Sequence, residues 1–254
     1  MQARPRLLEV EAKVAQLVEH STENAGVVGS IPSLGTFLCL WERCVTIDLM
    51  PLSYKSTART KRGTMDTLRW TVDDLDLLPD DGNRYEIVDG ELYVSKQPDM
   101  QHQIVATKVS ILLGLWNNRA QLGLTIATPG IIFTNDNAVV PDVVWISNER
   151  YATALQADGK FHSSPELVVE VLSPGPENRR RDREVKLKLY SRYGTQEYWV
   201  VNWQERRLEV YRRANAVLTL EGTLDENDVL ETPLLPEFRC KVGELFSGAS
   251  SISR

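Results

Sequence analysis

Residues 167–172 read LVVEVL, an apolar run with the length and residue types of a buried strand, and Glu170 sits inside it. Glutamate is almost never fully buried without a partner, and an isolated buried carboxylate takes up a proton rather than stay charged. Strand alternation sends Val168, Glu170 and Leu172 to one face and Leu167, Val169 and Val171 to the other. Residues 139–147, VVPDVVWIS, repeat the anomaly, because Asp142 stands at the edge of an apolar run directly after Pro141. Two carboxylates aimed at one point from neighbouring strands repel each other. They can share a proton, which raises one pKa, or bind a hard divalent cation, which suits oxygen ligands.

A lysine is another source of positive charge. In RRRDREVKLKLY, residues 179–190, Lys186 precedes Leu189, Tyr190 and Tyr193 by three, four and seven places. It therefore lies on the apolar stripe of a helix facing the sheet, with Lys188 on the outer side. The same helix begins with Arg179, Arg180, Arg181 and Arg183, a run that reads either as a phosphate-contacting patch or as a solvated helix face. Glu177, Asp182 and Glu184 dilute its charge. Tyr190 and Tyr193 read as core residues.

The elements that must position these groups are legible from periodicity. Thr71 followed by Asp74 is a helix-start signature, with a short helix to about Leu78 stopped by Pro79 and the turn DDGN. RYEIV and ELYVS flank Asp89-Gly90, a hairpin signal. Ile104, Val105, Val109, Leu112, Leu113 and Trp116 recur at helical spacing and predict a long helix over 99–122 that lies on a sheet. Strands are predicted over 124–128, 131–134 and 140–146. A polar stretch over 147–165 leads into the Glu170 strand, and a charged helix follows over about 177–193. EYWVVN and RLEVYRR form a hairpin, AVLTLEG another strand, and the end is loop followed by a short helix near 242–246. The sum is one mixed α/β domain, a central sheet flanked by helices.

Length and composition set outer limits. With 254 residues, 42% hydrophobic and 25% charged, the chain has the make-up of an ordinary globular protein with a sizeable core. No stretch approaches the roughly 18 apolar residues of a membrane span, and residues 1–16 lack the pattern of a secretory signal. Cys39, Cys44 and Cys240 form no metal-binding spacing and read as reduced thiols of a cytoplasmic protein. Net charge is −6, split as +2 over residues 1–64 and −8 over 65–254, so a polyanionic partner needs a local basic patch or bridging metal ions. Residues 15–32, AQLVEHSTENAGVVGSIP, have no sustained periodicity. They resemble the conceptual translation of a transfer-RNA gene, with AQLVEH matching a D-arm and VGSIP a T-arm. Residues 1–64 are thus expected to be a spurious or disordered extension, with Met65 the true start and 65–254 a single domain.

Asp142 and Glu170, separated by 27 residues, together with DREVKLKLY, GTQEYWVV, RYEIVDGELYV and PELVVEVLSP, resemble the PD-(D/E)xK nuclease superfamily. Within it, residues 70–246 are similar to the large bacterial family of Uma-type, restriction-endonuclease-like domains. The resemblance implies a restriction-endonuclease-like core in which Asp142 and Glu170, with the Val171 carbonyl, hold Mg²⁺ or Mn²⁺. The cation would activate a water and neutralise charge on the scissile phosphate. The superfamily's usual lysine position, two after the acid, is Leu172 here, and the resemblance assigns its role in orienting water and stabilising charge to Lys186. Glu86 matches a recurrent acid of the family, which could complete the metal shell or polarise the water; a cross-strand partner would explain it equally well. The family often carries a histidine near His102, so that residue could touch phosphate or the metal shell, or be an ordinary first-turn histidine.

The expectation is a Mg²⁺-dependent endonuclease acting on DNA, with a symmetric homodimer the simplest way to cut both strands. The alternatives are a catalytically inactive nucleic-acid-binding or regulatory module of the same fold and, third, a hydrolase of another phosphorylated substrate.

Overall fold

The computed structural model describes residues 68–249, and the chain divides between Leu68 and Arg69. The expectations for residues 1–64, Cys39 and Cys44 lie outside the described residues.

From Arg69 onward the order begins with helix α1 (Val72–Leu75), where the Asp74 carboxylate accepts the Thr71 backbone N–H at 2.9 Å, as the start signature requires. Strands β1 (Arg84–Val88) and β2 (Glu91–Ser95) then form a hairpin. Its turn residues Asp89 and Gly90 have φ of 51° and 77°, the positive pair that a type I′ turn demands. The long helix α2 (Met100–Ala120) starts on Asp99, whose side chain accepts from the His102 backbone N–H. Strands β3 (Gly123–Ala127), β4 (Ile131–Thr134), β5 (Asn137–Val139) and β6 (Val143–Ser147) follow, then helix α3 (Asn148–Ala154) and strand β7 (Leu167–Val171). After β7 the chain makes α4 (Pro176–Arg180), a π-helical segment (Arg181–Lys186) and α5 (Leu187–Arg192). Strands β8 (Glu197–Asn202), β9 (Arg207–Ala214), β10 (Val217–Asp225), β11 (Val229–Glu231) and β12 (Arg239–Lys241) and helix α6 (Val242–Leu245) complete it.

The strands form a six-stranded sheet, β10-β9-β8-β7-β6-β3, a four-stranded sheet, β2-β1-β5-β4, and the pair β11-β12. In the large sheet only β7–β8 is parallel, the crossover being the α4–α5 helical stretch. Apolar side chains pack on both faces of that sheet. Val105, Val109, Leu113 and Trp116 of α2 cover Leu167, Val169 and Val171, and Leu189 and Tyr190 of α5 cover Val168 and Val200 on the other side. Covered twice, β7 and β8 are buried along their whole length, which is why they read as continuous apolar runs.

Three sequence expectations are corrected. The strand expected over 140–146 begins only at Val143, as β6, and an unexpected strand, β5, precedes it in the other sheet, the two parted at Val140, Pro141 and Asp142; proline has no N–H to give a ladder, so the chain changes sheets there. The polar stretch over 147–165 contains α3, which Ser147 starts by accepting the Arg150 backbone N–H. The segment expected as terminal loop includes β11 and β12.

The β3–β6 pairing sets a sharp steric limit. A Cβ at Gly123 would overlap the Ile146 carbonyl oxygen and crowd the Trp145 ring. Gly123→Ala should therefore cost about 1–3 kcal/mol of stability, read as a lower urea midpoint; an unchanged midpoint would contradict this packing.

Candidate active site

Strand β6 runs antiparallel to β7 with Val143 opposite Val169 and Val144 opposite Val168. Extending that register by one place sets Asp142 across from Glu170, with both side chains on the same face of the sheet. Both are almost fully buried, at 3% exposure each, and both line a small cavity of about 20 Å³ together with Arg84, His102, Val171 and Arg181.

Each carboxylate has its own retinue. Asp142 Oδ1 pairs with Arg84 Nη1 at 3.2 Å, and Oδ2 takes the Val171 N–H at 2.8 Å and faces His102 Nε2 at 3.1 Å. Burial pushes the Asp142 carboxyl up, but His102, Arg84 and the Val171 N–H outweigh it and hold the pKa down at about 2. Glu170 Oε1 takes both Lys186 Nζ at 2.9 Å and the Tyr190 hydroxyl at 2.8 Å. Lys186 Nζ also reaches Glu86 Oε1 at 3.0 Å, an atom that accepts the Val140 N–H at 2.8 Å as well, and stands 4.0 Å from Asp182 Oδ1. Lys186 itself is 1% exposed.

Four carboxyl groups, Glu86, Asp142, Glu170 and Asp182, are packed with Arg84, Arg181 and Lys186, and Lys96 and His102 also line the cavity. Glu170 is the carboxyl that favours a proton: burial raises its pKa to about 8 against the pull of Lys186, and Asp142, Asp182 and Glu86 add to the rise. Glu86 goes the other way; burial pushes it up, but Lys186, Arg181 and the Val140 N–H bring it below the ordinary value. Burial works against charge on Lys186, yet Glu170, Glu86 and Asp182 raise its pKa, so the ammonium stays charged. The polar network is also incomplete. Of the five buried side-chain atoms without a hydrogen-bond partner among the described residues, two belong here, Glu86 Oε2 and His102 Nδ1, and such orphans are rare enough to mark a site.

The helical geometry explains how one stretch supplies three of these groups. In an α-helix a residue four places on is rotated by about 40°. The wider π turn removes that advance between Asp182 and Lys186, so Asp182, Lys186 and Tyr190 are all buried along one side. On β1, alternation puts Arg84 and Glu86 on the same face, where one meets Asp142 and the other Lys186.

The structure brings together Glu86, Asp142, Glu170, Lys186, His102 and Val171, although Glu86 and Lys186 lie outside the cavity lining. It scatters the arginine run. Arg181 lines the cavity and pairs with Asp182 at 3.2 Å, whereas Arg180 is exposed beside Glu184, Arg179 lies 3.8 Å from Glu205, and Arg183 grips Glu209 on β9. Arg84, Asp182 and Tyr190 are members that the sequence reading did not assign to the site. Same-face spacing could have flagged them: Arg84 is two before Glu86 on a strand, Asp182 four before Lys186 on a helix, and Tyr190 four after it.

Among the described residues no group of three or more His, Cys, Asp and Glu side chains is arranged to hold a metal ion. The donor set nonetheless suits a hard cation. Mg²⁺ is commonly held by only one or two carboxylates, with waters and substrate phosphate completing its shell, and Asp142 and Glu170 offer two carboxylates lining one small cavity.

Fold and site together define a restriction-endonuclease-like protein. A solved structure from Anabaena variabilis ATCC 29413, described as a "putative nuclease belonging to DUF820", is similar with a TM-score of 0.57 and 18% identity, over 70% of this chain and 97% of that one. The chain belongs to the Uma2 family, described as "Putative restriction endonuclease", whose model matches residues 72–243. Comparison with curated proteins gave no match.

Lys186→Met should remove the one cation among the described residues that touches both Glu86 and Glu170 and destabilise the fold by about 3–5 kcal/mol, the cost of leaving a buried carboxylate unpaired. Adding Glu86→Gln and Glu170→Gln should recover most of that loss in urea denaturation. No recovery would mean that Lys186 matters for packing rather than charge.

Proposed function

We propose that the protein is a divalent-metal-dependent endonuclease that hydrolyses DNA phosphodiester bonds. One observation carries this reading: Asp142 and Glu170, on adjacent strands of one sheet, are both almost fully buried and line the same small cavity. Asp142 and Glu170, with the Val171 backbone, are the residues that would hold Mg²⁺ or Mn²⁺. The ion, when bound, would supply acidification of a water and neutralisation of phosphate charge.

The remaining roles fall to the chain itself. His102 and Arg84 hold Asp142 ionised and fix its orientation. Lys186 and Tyr190 both bind Oε1 of Glu170, which orients that carboxylate. Lys186 is thus a positioning residue in this reading, since its ammonium is spent on protein carboxylates and does not line the cavity. Glu86 supports it by sharing that ammonium. Arg84, Lys96 and Arg181 line the cavity and are the groups placed to meet phosphate oxygens, arginine being a natural partner for them. Buried ion clusters add little net stability compared with apolar side chains of equal volume, so stability alone does not account for so many charges in one place.

The test is incubation of the full chain with supercoiled plasmid, linear duplex and single-stranded DNA in Mg²⁺, Mn²⁺ or EDTA, beside Glu170→Gln and Asp142→Asn. Cleavage should require metal and fall by a hundredfold or more in both variants, about the effect of removing one key electrostatic group from an active site. Cleavage that persists in EDTA, or at equal rate in the variants, would overturn the assignment. Binding without cleavage would support the inactive-module reading instead.

A further inference from the structure

The cavity beside Asp142 and Glu170, at about 20 Å³, accommodates about one water or ion and no nucleotide. Arg181 also lines a second and far larger cavity of about 510 Å³, within the size range of ligand sites. One wall of this groove is the edge strand β2, with Glu91, Tyr93 and Val94, and the other is the start of the helical crossover, with Arg180, Arg181 and Val185. Arg181 is therefore common to both cavities.

We infer that this groove seats a single nucleic-acid strand, with unstacked bases on the β2 wall and phosphates on the arginine wall, leading a phosphodiester past Arg181 to the carboxylates. This rests on the nuclease reading above and adds the substrate class. Arg180 is free to take a phosphate, because its tie to Glu184 is an exposed pair with both side chains more than half accessible, and such pairs are worth little. Tyr93 is held by packing against the core and by its hydroxyl, which donates to Glu91 at 2.9 Å. A half-buried ring so held is a stacking platform, and a base can stack on it only after leaving its own helix. The acids Glu91 and Glu177 disfavour phosphate anywhere except near the two arginines. The charge of −8 over residues 65–254 likewise argues against a surface that tracks a duplex backbone, which needs many lysines and arginines.

The test is fluorescence anisotropy with a labelled 12-nucleotide single strand and the duplex of the same length, in EDTA so that no cleavage intervenes. The full chain should bind the single strand more tightly, with log affinity falling against log salt at a slope of about −1.4, the value for two phosphate contacts on a single strand. Tyr93→Leu, which keeps the packing and removes the aromatic face, and Arg180→Ala, at an exposed position, should each weaken that binding by about tenfold. Equal or tighter duplex binding, or unchanged single-strand affinity in both variants, would overturn the inference. The two readings separate cleanly. Metal-dependent duplex cleavage that both variants retain would refute the groove and leave the nuclease standing. Single-strand binding that needs Tyr93 and Arg180, with no cleavage of any DNA, would do the reverse.

Discussion

One buried ammonium holds the site together. Lys186 Nζ lies within 3.0 Å of carboxylates on two sheets, Glu86 on β1 and Glu170 on β7, and is delivered by the helix that crosses between β7 and β8. Removing a buried lysine from water is costly unless its charge is answered, and here it is answered twice. Burial and the neighbouring carboxylates Asp142, Asp182 and Glu86 outweigh the pull of that ammonium on Glu170 and raise its pKa to about 8, so the crowding is relieved by a proton on Glu170.

Local rules supply the geometry. Pro141 ends β5 and releases the chain into the larger sheet, so Asp142 is the first residue to face β7. Antiparallel register then brings it opposite Glu170. The π-helical segment lines up Asp182, Lys186 and Tyr190 against the same patch. Such segments are rare and tend to occur at functional sites. The hydroxyl of Tyr198 bonds the Asp182 carbonyl at 2.9 Å, pinning the wide turn to the sheet.

Much of this was legible in the sequence because it rests on short-range periodicity. The β1–β2 hairpin followed from Asp-Gly, helix α2 from its apolar spacing, and the inward side of Lys186 from its distance to Leu189 and Tyr190. Glu170 stood out because a charge inside an apolar run demands a partner. Features that depend on contacts distant in the chain were not legible. Nothing local shows that the run over 139–147 is divided between two sheets, with Val139 ending β5 and Val143 opening β6. Nor does a run of arginines reveal that Arg183 turns to β9 while Arg181 turns to the cavity. Arg84 was assigned no role from the sequence, and the approach of β1 to Asp142 gives it one. His102 is similar: its helix position was read correctly, but its bond to Asp142 depends on how α2 lies across the sheet.

The measurement closest to the central claim is a Mn²⁺ titration of the full chain followed by electron paramagnetic resonance, with Asp142→Asn and Glu170→Gln in parallel. A cation site completed by these two carboxylates predicts saturable binding of one ion per chain, abolished in each variant while circular dichroism shows the fold intact. Absence of saturable binding, or binding indifferent to both substitutions, would contradict it and leave the buried charges with a purely structural role.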